Sequence, residues 1–345
     1  MRRADTMDWD DDLDDEVRPR LFAAARAGEA VGLGTIIAAD GGPRPVGAQM
    51  VVTADMRRGV LSGGCIDADV ARHAREVLAG DGPRRLVYGR GSPFLDLALP
   101  CGRRLEVLVE RIEPDDPAVH ALERFSQQRQ RAVWLSDGHA RACRQLTDEP
   151  SDGEPWAARV VFEPRRHLIV VGSDAFARAI AALGLRTRWE VTLVGALDSD
   201  RVPAGLRVVT GRLERALATC HMDRWTAVAV ALHDTEAEVE ALDPALRSDA
   251  FYVGALGSRS RLVERRERLQ EAGLGAQPID RLHAPIGLPL GGTSPREVAL
   301  AVMAEVAQEA RRSLLAYFQP GGLAPQAMAA LAVTPRPDVR GSLLR

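Results

Sequence analysis

The chain has 345 residues, enough for about two domains, and its 46% hydrophobic and 27% charged residues are those of a globular protein with ample core. A formal net charge of -3 offers no global basic field for nucleic acid or an anionic membrane. All 45 basic residues are Arg, and the missing lysine excludes a Walker-A loop, a protein-kinase ATP site and Schiff-base chemistry.

The N-terminus (MRRADTMDWDDDLDDE) has no apolar h-region and reads as an acidic, solvated tail. No run approaches the length of a membrane span. Cys65, Cys101, Cys143 and Cys220 stand far apart with no C-x-x-C pair, so neither a zinc knuckle nor a disulfide framework is expected. These features predict a cytoplasmic protein with free thiols.

From the N-terminus, the β-branched run at 31–39 predicts a strand that ends in a turn at Asp40-Gly41-Gly42-Pro43. Residues 50–53 and 59–61 predict short strands. Residues 67–78 carry helical spacing with Val70, Ala74 and Val77 on one face. Strands at 85–88 and 105–109 complete a mixed α+β block. A helix at 118–131 and strand-like pieces at 132–135 and 140–146 follow, and the polar stretch TDEPSDGEP at 147–155 predicts a surface loop.

From His167 the rhythm becomes regular. Strands at 168–171, 191–194, 206–209, 227–232 and 251–253 alternate with helices at 175–185, 235–246 and 258–272, the mark of βαβ units and a parallel sheet. Ser294-Pro295-Arg296-Glu297 predicts a capping box ahead of a last helix along 298–310. The expected organisation is an acidic tail over 1–16, a smaller mixed α+β N-terminal domain over 17–113 and a connecting segment over 114–166. A C-terminal, Rossmann-like α/β domain over 167–316 and a flexible tail over 317–345 complete it.

Ligands of open α/β sheets sit beyond the carboxyl ends of the strands. The turn Gly172-Ser173-Asp174-Ala175-Phe176-Ala177 stands where a dinucleotide fingerprint belongs, but Asp174 takes the place of the glycine that pyrophosphate approaches. Gly195 stands where an acidic residue would hold a ribose. NAD(P) binding is therefore not expected in the usual pose. His233-Asp234 and His283 fall at the same sheet edge. Gly254-Ala255-Leu256-Gly257-Ser258-Arg259 suits a phosphate, although an ordinary strand-to-helix turn reads equally well. In the first block, Ser62-Gly63-Gly64-Cys65 offers two glycine amides and a thiol at a helix start, making Cys65 a candidate reactive or sulfur-handling residue. Cys101, in Leu99-Pro100-Cys101-Gly102, is a second turn cysteine.

The stretch GTIIAADGGPRPVGAQMVVT, followed by GVLSGGCIDADV, resembles the N-terminal domain of the XdhC/CoxI family of xanthine dehydrogenase accessory proteins. The turn at Gly172, Leu-His-Asp at 232–234, YVGALGSRSR at 252–261, RLHAPIGL at 281–288 and the Thr-Ser-Pro-Arg-Glu helix start resemble the family's Rossmann-like domain. The resemblance implies a chaperone rather than a turnover enzyme. Such a protein binds molybdenum cofactor, as the mononucleotide or the cytosine dinucleotide form, and supports its sulfuration with a cysteine desulfurase. It then helps insert the cofactor into a molybdenum hydroxylase of xanthine or aldehyde dehydrogenase type. A homodimer is a further expectation.

The residues nominated to bind the cofactor are Arg44, Gln49, Ser62, Gly63, Gly64, Cys65 and Cys101 in the first domain. In the second they are Gly172, His233, Asp234, Gly257, Ser258, Arg259, His283, Pro285 and Gly287. Cys65 is also the candidate metal contact, no catalytic residue is assigned, and an interdomain cleft is the natural place for the ligand. The competing reading is an NAD(P)-dependent oxidoreductase with His233 as proton donor.

Overall fold

The computed structural model describes residues 16–41, 44–92, 104–146, 156–197 and 202–317. The acidic tail, the 147–155 loop, Cys101 and the C-terminal tail beyond Tyr317 lie outside them. Two compact units emerge, one from residues up to 125 together with 131–162, the other from 126–130 and 163–317.

The first unit begins with helix α1 (Arg18–Ala27), followed by strands β1 (Val31–Ala39), β2 (Gln49–Val52) and β3 (Arg57–Arg58). Helix α2 (Asp67–Leu78), strands β4 (Arg84–Gly89) and β5 (Arg104–Ile112) and helix α3 (Pro117–Gln127) come next. Strands β6 (Ala132–Ser136), β7 (Arg141–Gln145) and β8 (Ala158–Phe162) close the unit. An antiparallel sheet of order β3-β2-β1-β5-β4 forms its centre, beside a three-stranded antiparallel sheet β7-β6-β8.

Alternation along β1 and β5 sorts side chains to two faces. Ile36, Met50, Val107 and Val109 pack with Val70, Ala74 and Val77 of α2. Leu33, Val51 and Ile112 pack with Leu21, Val119 and Leu122 of α1 and α3, and with Trp134 and Val160 of the small sheet. Within the segment 114–166, expected as a connection, Ala118, Val119, Leu122, Trp134 and Val160 thus supply a layer of this unit's core. The expected strand at 59–61 does not form. Pairing occurs one step earlier at β3, and Gly59, with φ of 101°, turns the chain out of the ladder.

The second unit contains β9 (His167–Val171), α4 (Ala175–Arg186), β10 (Glu190–Val194), β11 (Leu206–Val209), α5 (Leu213–Ala218) and β12 (Thr226–Val230). After these come α6 (Thr235–Arg247), β13 (Tyr252–Ala255), a 3-10 turn at Arg259–Arg261, α7 (Leu262–Glu271), α8 (Ala276–Asp280), β14 (Leu282–His283) and α9 (Pro295–Tyr317). Its six strands are all parallel in the order β11-β10-β9-β12-β13-β14, the doubly wound arrangement of dinucleotide-binding folds. The continuous apolar runs of β9 and β12 are buried on both faces. Ile169, Val228 and Val230 face Leu242 and Leu246 of α6, whereas Leu168, Val170 and Ala229 face Ile180 of α4 and Val302 and Val306 of α9. The capping box of α9 is present: the Ser294 N–H and hydroxyl donate to Glu297, and the Glu297 N–H returns to Ser294 Oγ.

Candidate functional site

The Ser62-Gly63-Gly64-Cys65 turn of the first unit is built around a residue that its sequence motif does not announce. Asp67, at the start of α2 and 3% exposed, accepts hydrogen bonds from the amides of Leu61 at 2.7 Å, Ser62 at 3.2 Å and Gly64 at 2.8 Å, and from the Ser62 hydroxyl. The Ser62 oxygen in turn accepts from the Ile66 amide. Burial acts to raise Asp67, but these four donors outweigh it and hold the carboxyl below its ordinary value. Of the two glycine amides expected to face a ligand, that of Gly64 is therefore spent on this carboxylate. What the turn presents outward is Gly63, Gly64 and the exposed Cys65. A Cβ added at either glycine would meet nothing within 4 Å, so the surface beside the thiol is open. An Asp three residues past Gly64, in the first turn of a helix, is the local signal that could have found this anchor.

Gln49 does not fit its expected role. It is 5% exposed in β2 and donates to Thr35 across the β1–β2 pair at 3.1 Å, so its amide serves the sheet interior. Arg44 is half-buried beside Gly42 and Pro43, which lie outside the described residues. Cys143 and Cys220 are free thiols pushed upward by burial, Cys143 to about 12, as suits packing residues.

In the second unit, Gly172 follows β9 with φ of 139°, and a Cβ there would stand 2.4 Å from the Ala231 carbonyl oxygen. Only glycine allows the β9 and β12 loops to approach so closely at the switch in strand order. The next turn residue settles the helix terminus. Asp174 Oδ1 accepts from the Ala177 amide at 2.8 Å, and Oδ2 lies 3.1 Å from His233 Nε2. The carboxylate occupies the helix-terminal amide that a pyrophosphate would use. Gly195 cannot carry an acidic side chain in this geometry, because its Cβ would stand 2.6 Å from the Gly172 carbonyl oxygen. Asp234 caps α6 in the same manner, accepting from the Ala237 amide at 2.8 Å.

The loop after β13 is different. Ser258 precedes the helical segment with no side-chain cap, and Ser258, Arg259 and Ser260 are exposed. Beneath them Arg265, 2% exposed, pairs with the buried Glu238 and donates to the Leu256 carbonyl at 3.0 Å. Farther along, one carboxylate gathers the segment after β14. Glu305 of α9 accepts from Tyr252 Oη at 2.5 Å and from the Gly287 amide at 2.8 Å, and its Oε1 lies 3.3 Å from His283 Nδ1. The His283 ring also lies against Tyr252, with centroids 4.5 Å apart. Burial acts to raise Glu305, yet the bonds from His283, Tyr252 and Gly287 prevail and hold it below its ordinary value. Gly287 sits against the α9 backbone, where a Cβ would be 3.0 Å from Ala301 C, and Pro285 is exposed. Glu305 lies 18 residues from Gly287, and no local pattern marks it.

Asp174 and His233 are thus brought together, as are His283 and Gly287, while Cys65 and Arg259 belong to separate units. Among the described residues no group of three His, Cys, Asp or Glu side chains could hold a metal ion. None of their helices is long and apolar enough to cross a membrane.

This fold and these turns define a two-unit protein of Rossmann type whose first turn is closed by its own aspartate. Residues 168–306 match the XdhC Rossmann domain, and residues 24–89 match the XdhC and CoxI family. The molybdenum cofactor insertion chaperone PaoD of Escherichia coli (strain K12) is 31% identical over 303 residues, spanning 86% of this chain and 89% of PaoD. A probable xanthine dehydrogenase subunit of Bacillus subtilis (strain 168) is 26% identical over 155 residues, 44% of this chain and 45% of that protein. The crystal structure of a xanthine dehydrogenase from Bacillus halodurans shares the fold with a TM-score of 0.68 at 20% identity, covering 86% of this chain and 96% of that one. The chain belongs to the XdhC and CoxI family.

Proposed function

We propose that this protein binds molybdenum cofactor, supports its terminal sulfuration with a cysteine desulfurase, and helps insert it into a molybdenum hydroxylase of the xanthine or aldehyde dehydrogenase type. The likeness to PaoD, named as a molybdenum cofactor insertion chaperone, supports the maturation role. The single observation that carries the reading is the Cys65 turn, in which Asp67 fixes the backbone and an exposed thiol stands beside two open glycines. Molybdopterin presents a soft metal, soft sulfurs and an anionic phosphate. A thiolate on a rigid turn is a fitting partner for the soft end, and arginine with unspent helix amides for the phosphate. The protein holds and transfers the cofactor, and the turnover chemistry belongs to the client.

The oxidoreductase reading draws on the strand order and on His233 as proton donor, and Asp174 at the start of α4 weighs against it. The test is activation of a cofactor-free molybdenum hydroxylase by this protein, cofactor and a cysteine desulfurase. Cys65→Ala is expected to fold normally, since an exposed substitution changes stability by about 0.5 kcal/mol or less, and to lose most of the activation. Equal activation by the variant would remove the thiol from the account.

A further inference from the structure

We propose that β8 pairs with β8 of a second copy of this chain, antiparallel and centred on Val161, so that two three-stranded sheets join into one. This surface goes beyond the cofactor reading and does not depend on it.

In the order β7-β6-β8, β8 is an edge strand with β6 on one side only. Hydrogen-bond alternation defines its open side. The Leu146 amide donates to the Arg131 carbonyl and the Asp137 amide to that of Ala140, so the odd-numbered residues of β6 bond toward β7. Ala132, Trp134 and Ser136 therefore bond toward β8, where they stand opposite Phe162, Val160 and Ala158. Arg159 and Val161 are left with their backbone N–H and C=O groups turned away from β6. Among the described residues no other strand pairs with that side.

The neighbouring edges carry charge instead. On β4, the edge of the five-stranded sheet, Arg84 pairs with Glu76 and Arg85 with Glu106, and β7 exposes Arg144 and Gln145. On β8 the exposed side chains include Val161, at 41%. Val46, 51% exposed, lies beside it in the chain's packing, because a Cβ on the adjoining Gly47 would stand 3.7 Å from Val160. An open row of backbone groups with an apolar surface is a template for another strand.

Charge complementarity selects the occupant. Side chains alternate, so Arg159, Val161 and Glu163, the residue after the strand, share the outer face, while Val160 and Phe162 turn to the core. A two-fold axis at Val161 engages the unused backbone groups and sets this valine against its own copy. Arg159 then stands opposite Glu163 of the second copy, and Glu163 opposite its Arg159. Such opposite-charge pairs across strands stabilise the pairing, and a parallel arrangement would set arginine on arginine. The segment is complementary to itself in one direction only. So short an edge buries little area, which places dissociation in the micromolar range.

Sedimentation of the full chain across micromolar concentrations should show a monomer–dimer equilibrium. Arg159→Glu and Glu163→Arg each turn both pairs into repulsions, and each should raise the dimer dissociation constant roughly tenfold or more. The double exchange Arg159→Glu with Glu163→Arg restores both pairs and should recover the wild-type constant. Val161→Lys sets two ammonium groups against each other at the axis and should leave a monomer. Val263→Lys, at an exposed valine of α7, should leave the dimer intact. The urea midpoint of each variant, measured alongside, separates loss of pairing from loss of fold. A monomer at every concentration, a dimer indifferent to Arg159→Glu and Val161→Lys, or a double exchange no tighter than either single one would overturn the proposal.

Discussion

The Asp67 carboxylate shapes the turn that carries Cys65, and its removal leaves three backbone amides and a hydroxyl without their acceptor. Asp67→Ala should cost about 3 kcal/mol, because buried donors to a charged group lose both the bond and their solvation. Urea denaturation measures this, and a loss below about 1 kcal/mol would mean that the turn keeps its shape unaided. His167 sets a second residue-scale expectation. Buried at the start of β9, with Nε2 2.8 Å from Thr192 Oγ1, it is held down to about 4 by burial and by Arg129. The unfolded chain protonates this group near 6.5 while the folded chain does not. Stability is therefore intact above that value and falls as pH drops toward 4, by roughly 2 kcal/mol between pH 7 and pH 5. His73, also lowered by burial, adds the same sign. His167→Gln should flatten the dependence of the urea midpoint on pH over this range, and an unchanged slope would contradict the assignment.

At the scale of elements, the β9–α4 turn decides what the parallel sheet can hold. Asp174 spends the helix-terminal amide on itself, and Gly195 has no room for the carboxylate that would grip a ribose. Calorimetric titration with NADH and NADPH should therefore show binding weaker than micromolar, since each lost contact is worth about tenfold in affinity. Micromolar or tighter binding would restore the oxidoreductase reading. The sequence carries this turn plainly, because a glycine pattern and the residue that breaks it are local. Alternating β and α periods likewise announce the parallel sheet and the capping box at Ser294. The anchors are less legible. Gln49 looks available in a loop-like motif, yet strand pairing turns it inward onto Thr35. Glu305 reaches the Gly287 loop only after the sheet and α9 have packed, and Glu238 meets Arg265 from 27 residues away. Contacts made by tertiary closure leave no period in the chain. The strand at 158–162 is hidden for a related reason, being a short edge element after a polar stretch.

For the whole molecule, the proposed function assigns the soft donor, the exposed Cys65, to the first unit and the phosphate to the second. The resemblance is carried by SGGC and HAPIGL, and the carboxylates that hold these two turns are Asp67 and Glu305. The central claim is that the chain carries molybdenum cofactor. The most direct measurement is purification of the full chain from a host that makes the cofactor, followed by oxidation and chromatographic quantification of the fluorescent pterin. The account predicts pterin approaching one per chain from that host and a clear loss in Cys65→Ala at unchanged stability. Absence of pterin from the folded wild-type protein in the same host would contradict it.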